Sequence, residues 1–134
     1  MHINTKMILK SSALIMGFAG LILTFFPQEI TTEILHMEDS RAMRFLLQMI
    51  GAMYFAMGML NWMSKNSLIG GIYNRPIAIA NMTHFLMVGI TLAKLMLSQG
   101  SGSLIAWVTL VLYLAFAVAF VLILFRSPET GQSA

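Results

Sequence analysis

"LIAWVTLVLYLAFAVAFVLILF", residues 104–125, contains no charged side chain and almost no polar one. A helix needs about 20 predominantly apolar residues to cross the hydrocarbon core of a bilayer. A helix that is apolar all round faces lipid or another apolar helix rather than water. This stretch therefore predicts a membrane-spanning helix, and it sets the solvent against which the rest of the chain is read.

Three further stretches of similar length lie upstream, separated by polar punctuation. The short linker "SQGSGS", residues 98–103, joins the run to a third span from about Ile77 to Leu97. Before that, "SKNSLIGGIYNR", residues 64–75, supplies turn chemistry in Gly70-Gly71 and Asn74 ahead of Pro76, a residue suited to the first turn of a helix. The second span, about Met43 to Met63, reads "MRFLLQMIGAMYFAMGMLNWM". The first, about Met7 to Phe26, ends in Thr24-Phe25-Phe26-Pro27 without the small-x-small pattern of a cleavage site, so it reads as an uncleaved helix. Between these two, residues 27–44 place Ile30, Ile34, Leu35 and Met37 near helical spacing beside Glu29, Glu33 and Glu38, which predicts a short interfacial helix.

The expected fold class is all-α: a polytopic membrane protein, an antiparallel four-transmembrane-helix bundle with a short interfacial helix after span one. One domain over residues 1–126 and a disordered polar tail over 127–134 are expected. Composition agrees, since 58% of the 134 residues are hydrophobic and 10% charged, against about a quarter charged in soluble proteins. Four crossings use most of the chain and leave no room for a separate soluble domain.

The basic residues set the expected orientation. With the N-terminus cytoplasmic, Lys6, Lys10, Lys65, Arg75 and Arg126 fall inside, against Arg41 and Arg44 outside. The positive-inside rule then puts both termini in the cytoplasm. The formal charge of +3 fits orientation and headgroup contact and carries no nucleic-acid signal.

Small residues mark where helices approach closely in lipid. Span one offers Ala13, Gly17 and Gly20, span two Gly51, Ala52, Ala56 and Gly58, and span four Ala115 and Ala119. The thirteen methionines read as gap-filling side chains in such a bundle.

Polar residues inside spans are costly and face the protein interior. At about 100° per residue, Asn81, His84 and Thr91 fall within about 80° on span three, with Lys94 about 60° further round. Arg41, Arg44, Gln48, Gly51, Phe55 and Trp62 form a similar stripe on span two. Both stripes are expected to look into the bundle. A small polar cluster of Ser11, Ser12, Asn61, Asn81 and His84 is expected toward the inner side, with Lys94 near the level of Gln48 toward the outer side. The candidate ligand-binding residues are Gln48, Asn61, Asn81, His84, Arg44 and Lys94. Their plain structural reading is interhelical hydrogen bonding and, for Lys94, pairing with Glu33, Glu38 or Asp39. Trp62 and Trp107 read as interface anchors.

The absences narrow the function. No cysteine is present, which removes thiol redox chemistry and every cysteine-ligated metal site. No span carries a carboxylate, which a proton-coupled exporter of cations would need. His2 and His36 lie outside the spans, so a haem with two axial histidines in the bilayer is unsupported. No catalytic triad and no set of metal ligands assembles at one depth, and enzymatic activity has no support in the sequence.

The layout of "GLILTFFPQEI", a short amphipathic loop, "RFLLQMIGAMYFAMGMLNW" and two further spans resembles the DoxX-like small four-helix bacterial membrane proteins and their domain-of-unknown-function relatives, over about Met7 to Phe125. That resemblance implies a bacterial inner-membrane location. It also implies a quinone or lipid-like molecule as a candidate ligand, although no cofactor is required by the residues themselves. The expected function is a non-enzymatic bundle in the lipid bilayer that binds a partner membrane protein, a second copy in a homodimer, or a lipid-like molecule. The alternative is a small-solute or anion transporter or channel acting as an oligomer, and a weaker one is a quinone-linked redox subunit.

Overall fold

The computed structural model describes residues 4–99 and 103–126. Among the described residues every long element is helical: α1 (Thr5–Phe25), the single turn α2 (Pro27–Glu29), α3 (Arg41–Ser64), α4 (Arg75–Gln99) and α5 (Leu104–Phe125). Four of these are long and apolar enough to cross a membrane, and their ends fall within about two residues of the predicted spans. The tail expected to be disordered, 127–134, lies outside the described residues.

Local chemistry explains where the helices begin. The Asn4 side chain accepts from the Met7 amide at 3.2 Å, the Ser40 hydroxyl from Met43 at 3.1 Å, and the Ser103 hydroxyl from Ala106 at 3.2 Å. Each satisfies one of the amides that a first helical turn leaves without a backbone partner.

The connection from α1 to α3 holds the short helix expected after span one, and that helix ends before Met37. Helix continues from α2 only as a π-type turn, Ile30–Ile34, in which the Leu35 amide reaches back to the Ile30 carbonyl at 2.9 Å. Met37 and the residues after it do not carry the helix on toward residue 44. Thr31, fully buried, explains the stop: its hydroxyl donates to the Pro27 carbonyl at 2.8 Å, and its own carbonyl accepts from Met37 at 3.0 Å. His36 then takes a left-handed conformation, φ 50°, which a helix cannot pass through.

The contacts divide the chain into two compact units. One is Leu9–Asn66; the other runs from Ser67 onward and takes in the first residues of α1. In the first unit α1 and α3 are antiparallel: Ser12 meets Asn61, Gly17 meets Gly58, Gly20 meets Gly51 and Phe55, and Thr24 meets Gln48. Glycine is required at positions 20, 51 and 58. A Cβ on Gly20 would stand 2.5 Å from the Phe55 nitrogen, and one on Gly58 would stand 2.8 Å from the Gly17 nitrogen. Close backbone approach of this kind is how helices gain van der Waals contact where lipid offers no hydrophobic drive.

The small residues of span two divide accordingly. Gly51 and Gly58 are buried, whereas Ala52 and Ala56 are exposed. The buried face of α3 comprises Leu47, Gly51, Gly58, Asn61 and Ser64, rotated by about 90° from the predicted inward stripe at 100° per residue. Phe55, Trp62 and Gln48, expected to look inward, are exposed. The two glycines decide the rotation, because α1's backbone can seat only where α3 lacks a Cβ.

The second unit is the antiparallel pair α4 and α5, organised around Phe85. Its ring stacks on Phe116 with centroids 4.9 Å apart and on Phe120 at 5.8 Å, and meets Tyr113 edge-on at 5.3 Å. Phe85 and Phe120 are fully buried. The alanine pair expected to mark the contact is displaced by this aromatic set: Ala115 is exposed, while Ala117 and Tyr113 are buried. At the far end of the pair, residues 67–74 fold back over the C-terminus of α5. The Gly71 amide donates to the Leu124 carbonyl at 3.2 Å, and Gly70 and Tyr73 exchange backbone bonds at 3.0 and 2.9 Å. Gly70 and Gly71 hold φ of 127° and 55°. A Cβ on Gly70 would collide with the Arg126 carbonyl and lie 2.6 Å from that of Ile123.

Candidate functional site

The predicted site residues fall in both units. In Leu9–Asn66, Asn61 is fully buried. Its amide nitrogen lies 3.0 Å from Ser12 Oγ and 3.9 Å from Met16 Sδ. Ser12 donates in turn to the Leu9 carbonyl at 3.0 Å, so amide and hydroxyl form a short chain across the helix pair. Ser12 and Asn61, expected in one polar cluster, are thus brought together. Gln48 is exposed and makes one long contact, 3.4 Å, to the Thr24 carbonyl. Arg44 pairs with Asp39 at 3.4 Å, a partly exposed bridge of the kind that contributes little to stability.

In the second unit Asn81 is fully buried and donates to the Ile77 carbonyl, one turn back, at 2.9 Å. His84 is half-buried and belongs to the aromatic set, its ring edge-on to Phe85 at 5.3 Å and tilted against Tyr113 at 6.1 Å. Thr91 bonds within its own helix to the Met87 carbonyl at 2.8 Å, and Lys94 is exposed. Among the described residues no group of three or more His, Asp or Glu converges.

The feature that the sequence did not single out is a groove on the open side of the α1–α3 crossing, with a volume of about 260 Å³. Leu14, Gly17, Phe18 and Leu21 form the α1 wall, and Phe55, Gly58, Met59 and Trp62 the α3 wall. Its lining is almost wholly apolar. Gly17 makes the hollow: a Cβ built there meets nothing within 4 Å, so this position borders open space. A legible signal was present, since Leu14, Gly17, Phe18 and Leu21 lie at the i, i+3, i+4, i+7 spacing of one helix face. Read for helix contact alone, the glycine concealed a groove. An apolar, partly open seat of this size can hold a chain or a side chain, and no polar group within it suits catalysis. Compared with protein-family models, with curated proteins and with solved structures, the chain matches none.

Proposed function

We propose that this chain is a non-enzymatic integral membrane protein, a helical bundle that binds within the bilayer a partner protein, another copy of itself or a lipid-like molecule. The observation that carries the reading is the α1–α3 groove, an apolar seat at membrane depth whose walls stay exposed. The polar residues support the same reading. Asn61 spans its helix pair, Asn81 and Thr91 bond to the turn below, and Arg44 is engaged by Asp39. The Asn61 bond is of the kind that holds helices together, and the other three satisfy polar groups within one stretch of chain. A transport path would instead need such groups turned to water.

We further propose, on the positive-inside count, that both termini are cytoplasmic, and, on the resemblance of the span layout to DoxX-like proteins, that the chain is a member of that family in a bacterial inner membrane. Native mass spectrometry of the protein, extracted gently from its own membrane, tests the binding reading. A retained amphiphile, a dimer or a second polypeptide is expected. A bare monomer with no crosslinked neighbour in the membrane would sink it.

A further inference from the structure

Both walls of the α1–α3 groove end in a lysine at the same end. On α1, Lys10 precedes Ala13, Leu14 and Gly17 by three, four and seven residues, which puts it on the groove face one turn beyond the lining. On α3, Lys65 follows Trp62 by three. Its ammonium stands 3.9 Å from the centroid of the Trp62 ring and donates to the Trp62 carbonyl at 3.1 Å. The bond between Ser12 and Asn61 fixes the level of the two helices. Measured from that bond, the Lys10 and Lys65 backbones lie about 3 and about 6 Å further toward the same end.

The carboxylates of this unit, Glu29, Glu33, Glu38 and Asp39, all belong to the connection at the opposite end of the helix pair. The groove therefore presents an apolar trough about 15 Å long, from the level of Leu21 to that of Trp62, and then two cations with no carboxylate of the unit beside them. That order matches an anionic amphiphile, chain first and phosphate last. The volume favours a single chain, because about 260 Å³ falls below the roughly 300–1,000 Å³ of pockets that enclose compact ligands. A helix from a second copy, about 10 Å across, could enter it only by a side chain and would leave most of the trough unfilled.

We propose that the groove seats one acyl chain of an anionic phospholipid from the surrounding bilayer, with its phosphate held between Lys10 and Lys65. This rests on the binding reading above and names its ligand. The test uses the full chain, stripped of lipid in detergent and offered phosphatidylglycerol or phosphatidylcholine with identical chains, with retention read by native mass spectrometry. The wild type is expected to keep one phosphatidylglycerol in preference to phosphatidylcholine. Lys10→Gln and Lys65→Gln are each expected to reduce that preference by about fivefold while leaving chain binding. Gly17→Leu fills the trough without a clash at Cβ, so it should displace both lipids while helix content and melting temperature stay as in the wild type.

Equal retention of the two lipids by the wild type, or phosphatidylglycerol retained undiminished by Gly17→Leu, would overturn the proposal. A wild type that keeps neither lipid but forms a dimer that Gly17→Leu splits would also overturn it and leave the binding reading standing, with a second copy in the groove. A monomer that keeps neither lipid and has no crosslinked neighbour in its membrane would overturn both.

Discussion

At Asn61 a primary amide is fully buried in a helix pair packed largely through glycine, alanine, leucine and methionine. Its contact with Ser12 at 3.0 Å gives the amide a partner where lipid would offer none, and such bonds contribute about 0.6 kcal/mol on average and up to about 1.7. Asn61→Ala is therefore expected to lower the unfolding free energy in mixed micelles by that amount, measured against Ser12→Ala and the double variant. A double variant costing less than the sum of the singles would show the pair acting as one unit. If neither substitution moved stability, the contact would hold nothing together. Phe85 works differently, through contact area: it is fully buried and meets Tyr113, Phe116 and Phe120. Phe85→Ala should cost about 3 kcal/mol or more, read in the same unfolding assay, and a cost below about 1 kcal/mol would mean that the ring stack does not organise α4 and α5.

Helix pairs raise the question of which small residues are structural. Gly51 and Gly17 look alike in the sequence, but a Cβ on Gly51 would meet the Gly20 carbonyl at 2.8 Å and collide with the Thr24 hydroxyl, whereas one on Gly17 meets nothing. Gly51→Ala is thus expected to push α1 and α3 apart and lower the melting temperature, with Gly17→Ala indistinguishable from the wild type; equal losses would refute the assignment of the contact. The spans themselves were legible because length and apolarity suffice to find them: "LIAWVTLVLYLAFAVAFVLILF" can hardly be anything but a span. Which face of each span packs was not legible, because apolar residues cover every face and lipid does not sort them as water does. The α5 contact accordingly fell to Tyr113, Phe116 and Phe120 rather than to Ala115 and Ala119. The meeting of Ser12 with Asn61 could be read from depth alone. The role of Gly70 and Gly71 could not, since the carbonyls they cover belong to residues more than fifty positions further along the chain. Gly70 sits at φ 127°, a conformation that costs a residue with a Cβ about 1–3 kcal/mol. In Gly70→Ala, amide exchange at Gly71 should accelerate as its bond to Leu124 loosens, and unchanged protection there would show that the loop does not cap α5.

For the whole chain the governing quantity is orientation, and here energetics and sequence address the same choice. An even number of crossings puts both termini on one side, and the cations decide which: Lys6, Lys10, Lys65, Arg75 and Arg126 flank one set of span ends, while Arg41 and Arg44 flank the other. The exposed Lys94 joins the minority. The acidic cluster of the α1–α3 connection adds little, because the rule counts lysine and arginine rather than net charge. Arg44 is in any case engaged by Asp39 at 3.4 Å. A phosphatase reporter inserted after Ser101 should therefore be active outside the cell and a fluorescent one after Ala134 should fold inside. An external reporter after Ala134 would reverse the orientation and place Lys10 and Lys65 at the outer leaflet. The groove would then draw its phospholipid from that leaflet, so the reporter result fixes which leaflet's lipids can occupy it. Moving the balance provides the sharper check. Substituting Lys65 and Arg75 by Gln, with two lysines added beside Arg41, leaves three cations at the ends proposed as cytoplasmic against five at the others, Lys94 included. A population inserted in the opposite sense is then expected, visible as phosphatase activity from the C-terminal site, and a topology that stayed uniform would mean that features other than these cations set it.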